Sequence, residues 1–235
     1  MATISDVVRP PLVIAHRGAS AAEPPGNTLA AFRAAAALGA DWVELDVRRC
    51  ADGALVVHHD AQLADGRPIV ELAAAELPGT VPSLAAALDA CAGMGVNVEV
   101  KNTPGEPDWD ETGRVADIVV RQLAGRDRSS LLVTSFDPGV VGRVGALDPD
   151  LPTGLLVHPG VGLDDVVAFA ADCGCRAVNP WDPMVTAELV ADAHRRGLAV
   201  NVWTVNDPDR MRALVDLGVD GIITDRPDVA RQVVG

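Results

Sequence analysis

Short β-branched runs alternate with alanine- and leucine-rich periodic stretches along almost the whole chain, and this alternation narrows the possible folds more than any other feature. The apolar runs fall at 12–15, 42–47, 96–100, 131–134, 153–157, 177–179, 198–203 and 221–224. Helical patterns lie between them at 29–38, 83–94, 112–123, 138–147, 163–171, 186–195 and 208–217, and a last short one at 227–233. Strands that alternate with helices form parallel sheets with crossover connections. Eight such units in 235 residues match a compact α/β fold, the (β/α)8 TIM barrel. A doubly wound open sheet competes, but no G-x-G-x-x-G follows the first strand. No linker or low-complexity segment divides the chain, so residues 1–235 read as one domain.

One run breaks the pattern. Residues 54–59 follow 42–47 without an intervening helix, too closely for a parallel crossover. Asp52-Gly53 between them signals a hairpin inserted after the second strand. A turn centred on that dipeptide pairs His59 with Asp46 and sends His58 to the other side. A one-residue slip would exchange the two histidines. The Pro/Gly/Glu-rich stretch 103–110 follows a strand end and reads as a loop over the barrel mouth.

The chain is 49 % hydrophobic and 22 % charged, enough apolar surface for a large core and incompatible with disorder. No segment approaches the roughly 20 continuous apolar residues that span a bilayer. The start, MATISDVVRPPLVIAHRG, lacks the pattern of a secretory signal. A cytoplasmic protein with no stable membrane insertion is expected. Nineteen basic residues against 33 acidic ones give a net charge of −14, which repels polyanions and argues against nucleic-acid partners. An anionic small molecule would then need a metal ion or a few local basic groups. The four cysteines, Cys50, Cys91, Cys173 and Cys175, lack zinc-site spacing and should stay reduced.

Polar residues collect at the carboxyl ends of the first three parallel strands, where barrels of this kind place their active sites. The first ends in His16-Arg17-Gly18. The second reads V-E-L-D-V, with Glu44 and Asp46 on one face, and the third places Glu99 and Lys101 likewise. Leu45, Val98 and Val100 face the helices. Buried carboxylates are costly without compensation. Glu44, Asp46 and Glu99 together suit a hard divalent cation, Mg2+ or Ca2+, with Mn2+ also possible; a salt-bridged cluster with Arg17 and Lys101 is the other reading. His16 and His59 are the candidate acid–base pair. Arg17 and Lys101 are the groups that would meet a phosphate. Trp203 reads either as a pocket wall or as a buried structural residue. His158 and His194 read as structural or exposed. Asn27-Thr28 and Asp225 read as helix caps.

The segments A-H-R-G-A-S at 15–20, N-T-L-A-A-F at 27–32, V-E-L-D-V at 43–47, V-V-H-H-D at 56–60, V-E-V-K at 98–101, W-T-V-N at 203–206 and D-G-I-I-T-D-R-P-D at 220–228 resemble those of the glycerophosphodiester phosphodiesterase family, in the family's order and across nearly the whole chain. The resemblance implies a TIM barrel that hydrolyses glycerophosphodiesters to sn-glycerol 3-phosphate and an alcohol. It implies that Glu44, Asp46 and Glu99 hold a divalent ion, that His16 and His59 exchange protons, and that Arg17 and Lys101 bind phosphate. Direct attack by water and prior attack by a glycerol hydroxyl both remain open. One departure stands out: the family's P-E-N-T is Pro25-Gly26-Asn27-Thr28 here, and Glu23 would replace the missing carboxylate if the loop folded back. The stretch 61–68 is also short for the family. Two other functions compete, cleavage of lysophospholipids in phospholipase D fashion and phosphodiester binding without turnover.

Overall fold

Eight parallel strands close on themselves in the computed structural model, which describes residues 10–159 and 165–235. They are β1 (Leu12–His16), β2 (Trp42–Arg49), β4 (Gly95–Val100), β5 (Leu131–Ser135), β6 (Thr153–Val157), β7 (Ala177–Pro180), β8 (Ala199–Val202) and β9 (Gly221–Thr224). Each pairs with the next, and β1 pairs with both β2 and β9, so the sheet has no parallel edge. The one antiparallel strand is the short β3 (Leu55–Val57), which lies against β2. The fold is the TIM barrel with a hairpin insertion expected from the alternating pattern.

The helices between the strands are α1 (Leu29–Ala37), α2 (Leu84–Ala90), α3 (Arg114–Leu123), α4 (Pro138–Leu147), α5 (Val166–Asp172), α6 (Ala187–Arg195), α7 (Pro208–Leu217) and α8 (Pro227–Val234). Side-chain caps start six of them: Thr28, Ser83, Asp137, Asp165, Thr186 and Asp207 each accept a backbone N–H from the first turn. Proline in the first turn fixes the entry of α4, α7 and α8. The helix expected at 163–171 begins at Val166, and Leu163 lies outside the described residues, as do residues 1–9 at the expected non-signal start. No helix among the described residues is long and apolar enough to cross a membrane.

Alternation along each strand separates two environments. Outward residues such as Val43, Leu45, Val98, Val100 and Val133 are buried against Phe32, Leu84, Val115 and Val119 from the helices. A second cluster, including Val178, Val200, Met211 and Ile222, fills the other half of the same shell. Inside the barrel, polar residues mix with a few apolar ones such as Ile14, Leu156 and Ile223: Thr134 donates to Asn97 at 2.8 Å, and Asn201 donates to Asn179 at 3.4 Å. The two large apolar clusters thus lie in the shell between barrel and helices, and the interior has room for polar chemistry.

The hairpin register differs from the expected one. Val47 pairs with Val57, Arg48 with Val56 and Arg49 with Leu55, so Asp46 stands opposite His58, whose N–H donates to the Asp46 carbonyl at 3.0 Å. The turn is a three-residue loop, 51–53, closed by Cys50 and Ala54, with Gly53 at φ +79°. A third loop residue with a left-handed glycine shifts pairing by one relative to a two-residue turn.

At the end of β1 the chain passes very close to α1. Gly18 has φ +79°, and a Cβ there would sit 2.7 Å from the Ala31 carbonyl carbon and oxygen. Both the left-handed conformation and the contact demand glycine. The G18A variant is expected to lose at least about 2 kcal/mol of stability, read as a shift in urea midpoint at unchanged m-value.

Candidate active site

Parallel register builds the site. His16 on β1 is the neighbour of Glu44 on β2, and Asp46 on β2 is the neighbour of Glu99 on β4. All four point into the barrel at its carboxyl end. One oxygen from each of Glu44, Asp46 and Glu99 lies within 4.8 Å of the others, and all three residues are buried.

Three buried carboxylates this close repel one another. Lys101, the chain's only lysine, answers part of that charge: its Nζ is 2.7 Å from Glu99 Oε1 and 3.1 Å from Asp46 Oδ1. Arg17 places Nε 3.4 Å from Asp46 Oδ2 and donates its backbone N–H to Glu44 Oε2 at 3.0 Å. The salt-bridged arrangement is therefore real, but it is incomplete. Two cations face three carboxylates, and Glu44 Oε1 is buried without a hydrogen-bond partner. Burial, with Asp46 and Glu99 beside it, pushes the Glu44 carboxyl well above the ordinary range. Burial also raises Glu99, with Asp46 adding to the effect and Lys101 opposing it. For Asp46 burial acts upward too, but Lys101 and Arg17 outweigh it and hold the group at about 2. An orphaned buried oxygen in a like-charged oxygen set is the environment that a hard divalent cation fits.

The two candidate imidazoles flank this cluster in matching fashion. His16 Nδ1 is 2.7 Å from Asp225 Oδ1, and His59 Nδ1 is 2.7 Å from Asp60 Oδ1. With Nδ1–H committed to a carboxylate, each ring leaves Nε2 for chemistry. His16 Nε2 lies 4.0 Å from Glu44 Oε2. Burial and the Lys101 charge lower the His59 pKa. His59 faces the cavity despite the shifted register, because β3 ends at Val57 and the chain leaves the ladder before His59. His58 turns away, with Nδ1 2.9 Å from the Asp60 carbonyl.

A cavity of about 110 Å³ connects these groups, lined by His16, Arg17, Glu44, Asp46, His59, Glu99 and Lys101 on one side. Phe136, Leu156, Trp203 and Ile223 form the other. Trp203 is the pocket wall among the two roles open to it: its indole N–H donates to the Asn179 carbonyl at 2.7 Å, and its ring meets Phe136 edge-on at 5.4 Å. The loop 103–110 docks at the rim and contributes no residue to this lining. A larger cavity, about 410 Å³, lies between the hairpin and α3 around Arg49, Trp109 and Arg114, away from the converging acids.

Several expectations need correction. Asp225 is not a cap: α8 has no side-chain cap, and the Asp225 carboxylate instead binds His16, Ser20 at 2.8 Å and Asn206 at 2.6 Å. These partners outweigh burial and hold Asp225 below the ordinary carboxylate range. Thr28 caps α1, but Asn27, at φ +55°, donates to Asp46 Oδ2 at 2.7 Å. Glu23 stays exposed and lines neither the acidic pocket nor the adjoining groove. His158 stacks edge-on against Phe136 at 5.3 Å, and His194 binds Asp220 on the outer surface. Asn27 and Asp225 were neighbours of the site that spacing could not reveal, since their contacts span loops; Asp60 simply follows His59 and holds its ring from the next position.

The glycerophosphoryl diester phosphodiesterase family model matches residues 16–229. The chain belongs to this family. A probable glycerophosphodiester phosphodiesterase 2 from Mycobacterium tuberculosis is 32 % identical over 244 residues, covering 95 % of this chain and 90 % of that protein. A putative glycerophosphoryl diester phosphodiesterase from Silicibacter pomeroyi superposes with a TM-score of 0.86 at 30 % identity, covering 96 % of this chain and 93 % of that one. An Oleispira antarctica phosphodiesterase in complex with the product sn-glycerol-3-phosphate superposes at 0.85 with 27 % identity, covering 96 % and 97 %. The family and the enzyme class that the sequence motifs resemble are thus borne out.

The Asp225 contact predicts a kinetic effect. D225A removes the partner that fixes the His16 ring, and kcat is expected to fall about 10- to 100-fold. Divalent-ion affinity, measured by calorimetry on the same variant, should stay near that of the parent protein.

Proposed function

We propose that this protein hydrolyses glycerophosphodiesters to sn-glycerol 3-phosphate and an alcohol, using His16 and His59 as proton carriers beside a divalent-cation site. The observation that carries the reading is the pair of carboxylate-held imidazoles on either flank of three buried acids, with a lysine and an arginine at the same point. Glu44, Asp46 and Glu99 would hold the cation, Mg2+, Ca2+ or Mn2+, which when bound supplies charge stabilisation at the phosphoryl oxygens.

The chain's own residues account for the rest. Arg17 and Lys101 orient the phosphodiester and offset its charge. The lowered pKa of His59 keeps its ring neutral near pH 7, which suits it to accept the proton of the attacking oxygen. That oxygen forms the new P–O bond. His16 then donates its proton to the alcohol oxygen as the old P–O bond breaks. The scheme applies equally to attack by water and to attack by a substrate hydroxyl that gives a cyclic phosphate first. The aromatic wall of Phe136 and Trp203 excludes water on the side away from the acids.

Cavity size favours this substrate class over lysophospholipids. At about 110 Å³ the pocket is well below the roughly 300 Å³ of a drug-sized site, which suits a phosphodiester and a three-carbon polyol.

The test is hydrolysis of a glycerophosphodiester panel with Mg2+, Ca2+ and Mn2+, products followed by phosphorus NMR. Turnover should disappear in excess EDTA and return with added cation. H16A and H59A should each lower kcat by about 10²- to 10⁴-fold. Saturable binding without turnover under every cation would support the non-catalytic alternative instead.

Gly26 yields a separate prediction. Its φ is +83°, and a Cβ there would lie 2.9 Å from Arg17 Cβ and from Ser20 Cβ. Restoring the family's glutamate with G26E should displace Arg17 and raise KM about tenfold for the same substrates, a loss of roughly 1.4 kcal/mol of binding.

A further inference from the structure

Arg48 is the largest fully buried side chain among the described residues and takes no direct part in the chemistry above. It sits on β2 two residues past Asp46, on the same strand face. Its Nε and Nη2 both donate to the main-chain carbonyl of His59, at 2.8 and 2.6 Å. Its Nη1 donates to both carboxylate oxygens of Asp108, at 2.9 and 2.8 Å, and to Glu106 Oε2 at 2.9 Å. Asp108 is buried as well. We propose that Arg48 is a positioning residue for His59, a guanidinium fork that fixes the backbone of the proton-accepting histidine and ties it to the loop leaving the Glu99–Lys101 strand.

Three observations carry this inference. First, the sheet does not place His59. The last antiparallel rung is the His58 N–H on the Asp46 carbonyl, and pairing continued beyond it would give the cavity His58. Second, the ring contact of His59 is to Asp60, whose side chain is 74 % exposed; a partner so open to water cannot by itself hold the imidazole. Third, the fork is geometrically specific. Two parallel donors on one carbonyl, from a planar group anchored at its far end by a buried carboxylate, restrict the peptide in a way that a single donor cannot. Glu106 and Asp108 lie in the loop that follows Lys101, so the same ion pair couples the His59 segment to the strand bearing Glu99 and Lys101. A displacement of about 1 Å in a catalytic group costs on the order of 10²-fold in rate.

The inference rests on the assignment of His59 as a proton carrier, and the experiment keeps the two apart. Wild type, H59A and R48K are compared on glycerophosphocholine with saturating Mg2+. Lysine keeps the charge but has no fork, so R48K should lower kcat about 10- to 100-fold. KM and Mg2+ affinity should stay within about twofold of wild type, because Arg17, Lys101 and the three acids are untouched. Should R48K fail to fold, R48M/D108L replaces the buried pair by apolar groups, an exchange proteins often tolerate, and the same loss of kcat is expected. A folded variant of either kind with wild-type kcat overturns the proposal. So does a parallel collapse of kcat, KM and Mg2+ affinity, which would mark a general structural role. If H59A itself turns over like wild type, the histidine assignment fails first, whatever the Arg48 variants do.

Discussion

Three carboxylates buried within contact of one another are the constraint around which the rest of the site is arranged. Such a cluster is unfavourable by desolvation and by repulsion, and each neighbour of it answers one part of that cost. Lys101 bridges Glu99 and Asp46, Asn27 donates to Asp46, and the Arg17 backbone donates to Glu44. Arg17 and Asn27 both take left-handed backbone conformations to reach their partners, with φ of +56° and +55°. Strained backbone of this kind gathers where function requires a geometry that local preference opposes. The loop between β1 and α1 is therefore shaped by the acids, and Gly18 and Gly26 are the residues that let it bend that closely.

Barrel closure is what makes the cluster possible at all. A parallel register places His16 beside Glu44 and Asp46 beside Glu99 without any loop participating. Since the two large apolar clusters lie outside the barrel, its interior tolerates asparagines, threonines and carboxylates beside the few apolar residues it holds. The division of labour is a property of strand alternation: one face of each strand supplies stability and the other supplies chemistry.

That same alternation decides what could be read from sequence. Glu44, Asp46 and Glu99 were legible because they lie on regular strands, where a spacing of two fixes a common face, and Lys101 because it directly follows one. The helices were legible from their caps and periodicity, to within a few residues. His59 was assigned to the site by a register that the hairpin does not have; the residue reaches the cavity because β3 stops short and the chain departs from the ladder. Asn27 and Asp225 escaped because their contacts cross loops, 19 residues apart for Asn27 and Asp46 and 209 for His16 and Asp225, whereas Asp60 escaped because an acid next to a histidine is commonplace in sequence. A turn or capping residue and a buttress for a histidine look alike in sequence, since both are short polar side chains next to an element boundary. Glu23 illustrates the reverse: proximity along the chain to Gly26 does not bring its carboxylate to the site.

Electrostatics joins the two halves of the argument. A chain with net charge −14 repels a phosphodiester at long range, and a site in which three acids outnumber two cations would repel it at short range too. Any divalent cation at the acidic cluster reverses the local sign, and it does so at the point where Arg17 and Lys101 already converge. Binding of cation and binding of anionic substrate then each strengthen the other by the same factor, because the coupling between two ligands on one protein is reciprocal. With a cation held there, as proposed above, capture of an anion would depend on that charge, and the pocket lined by His16 and His59 would attract substrate only when it is in place.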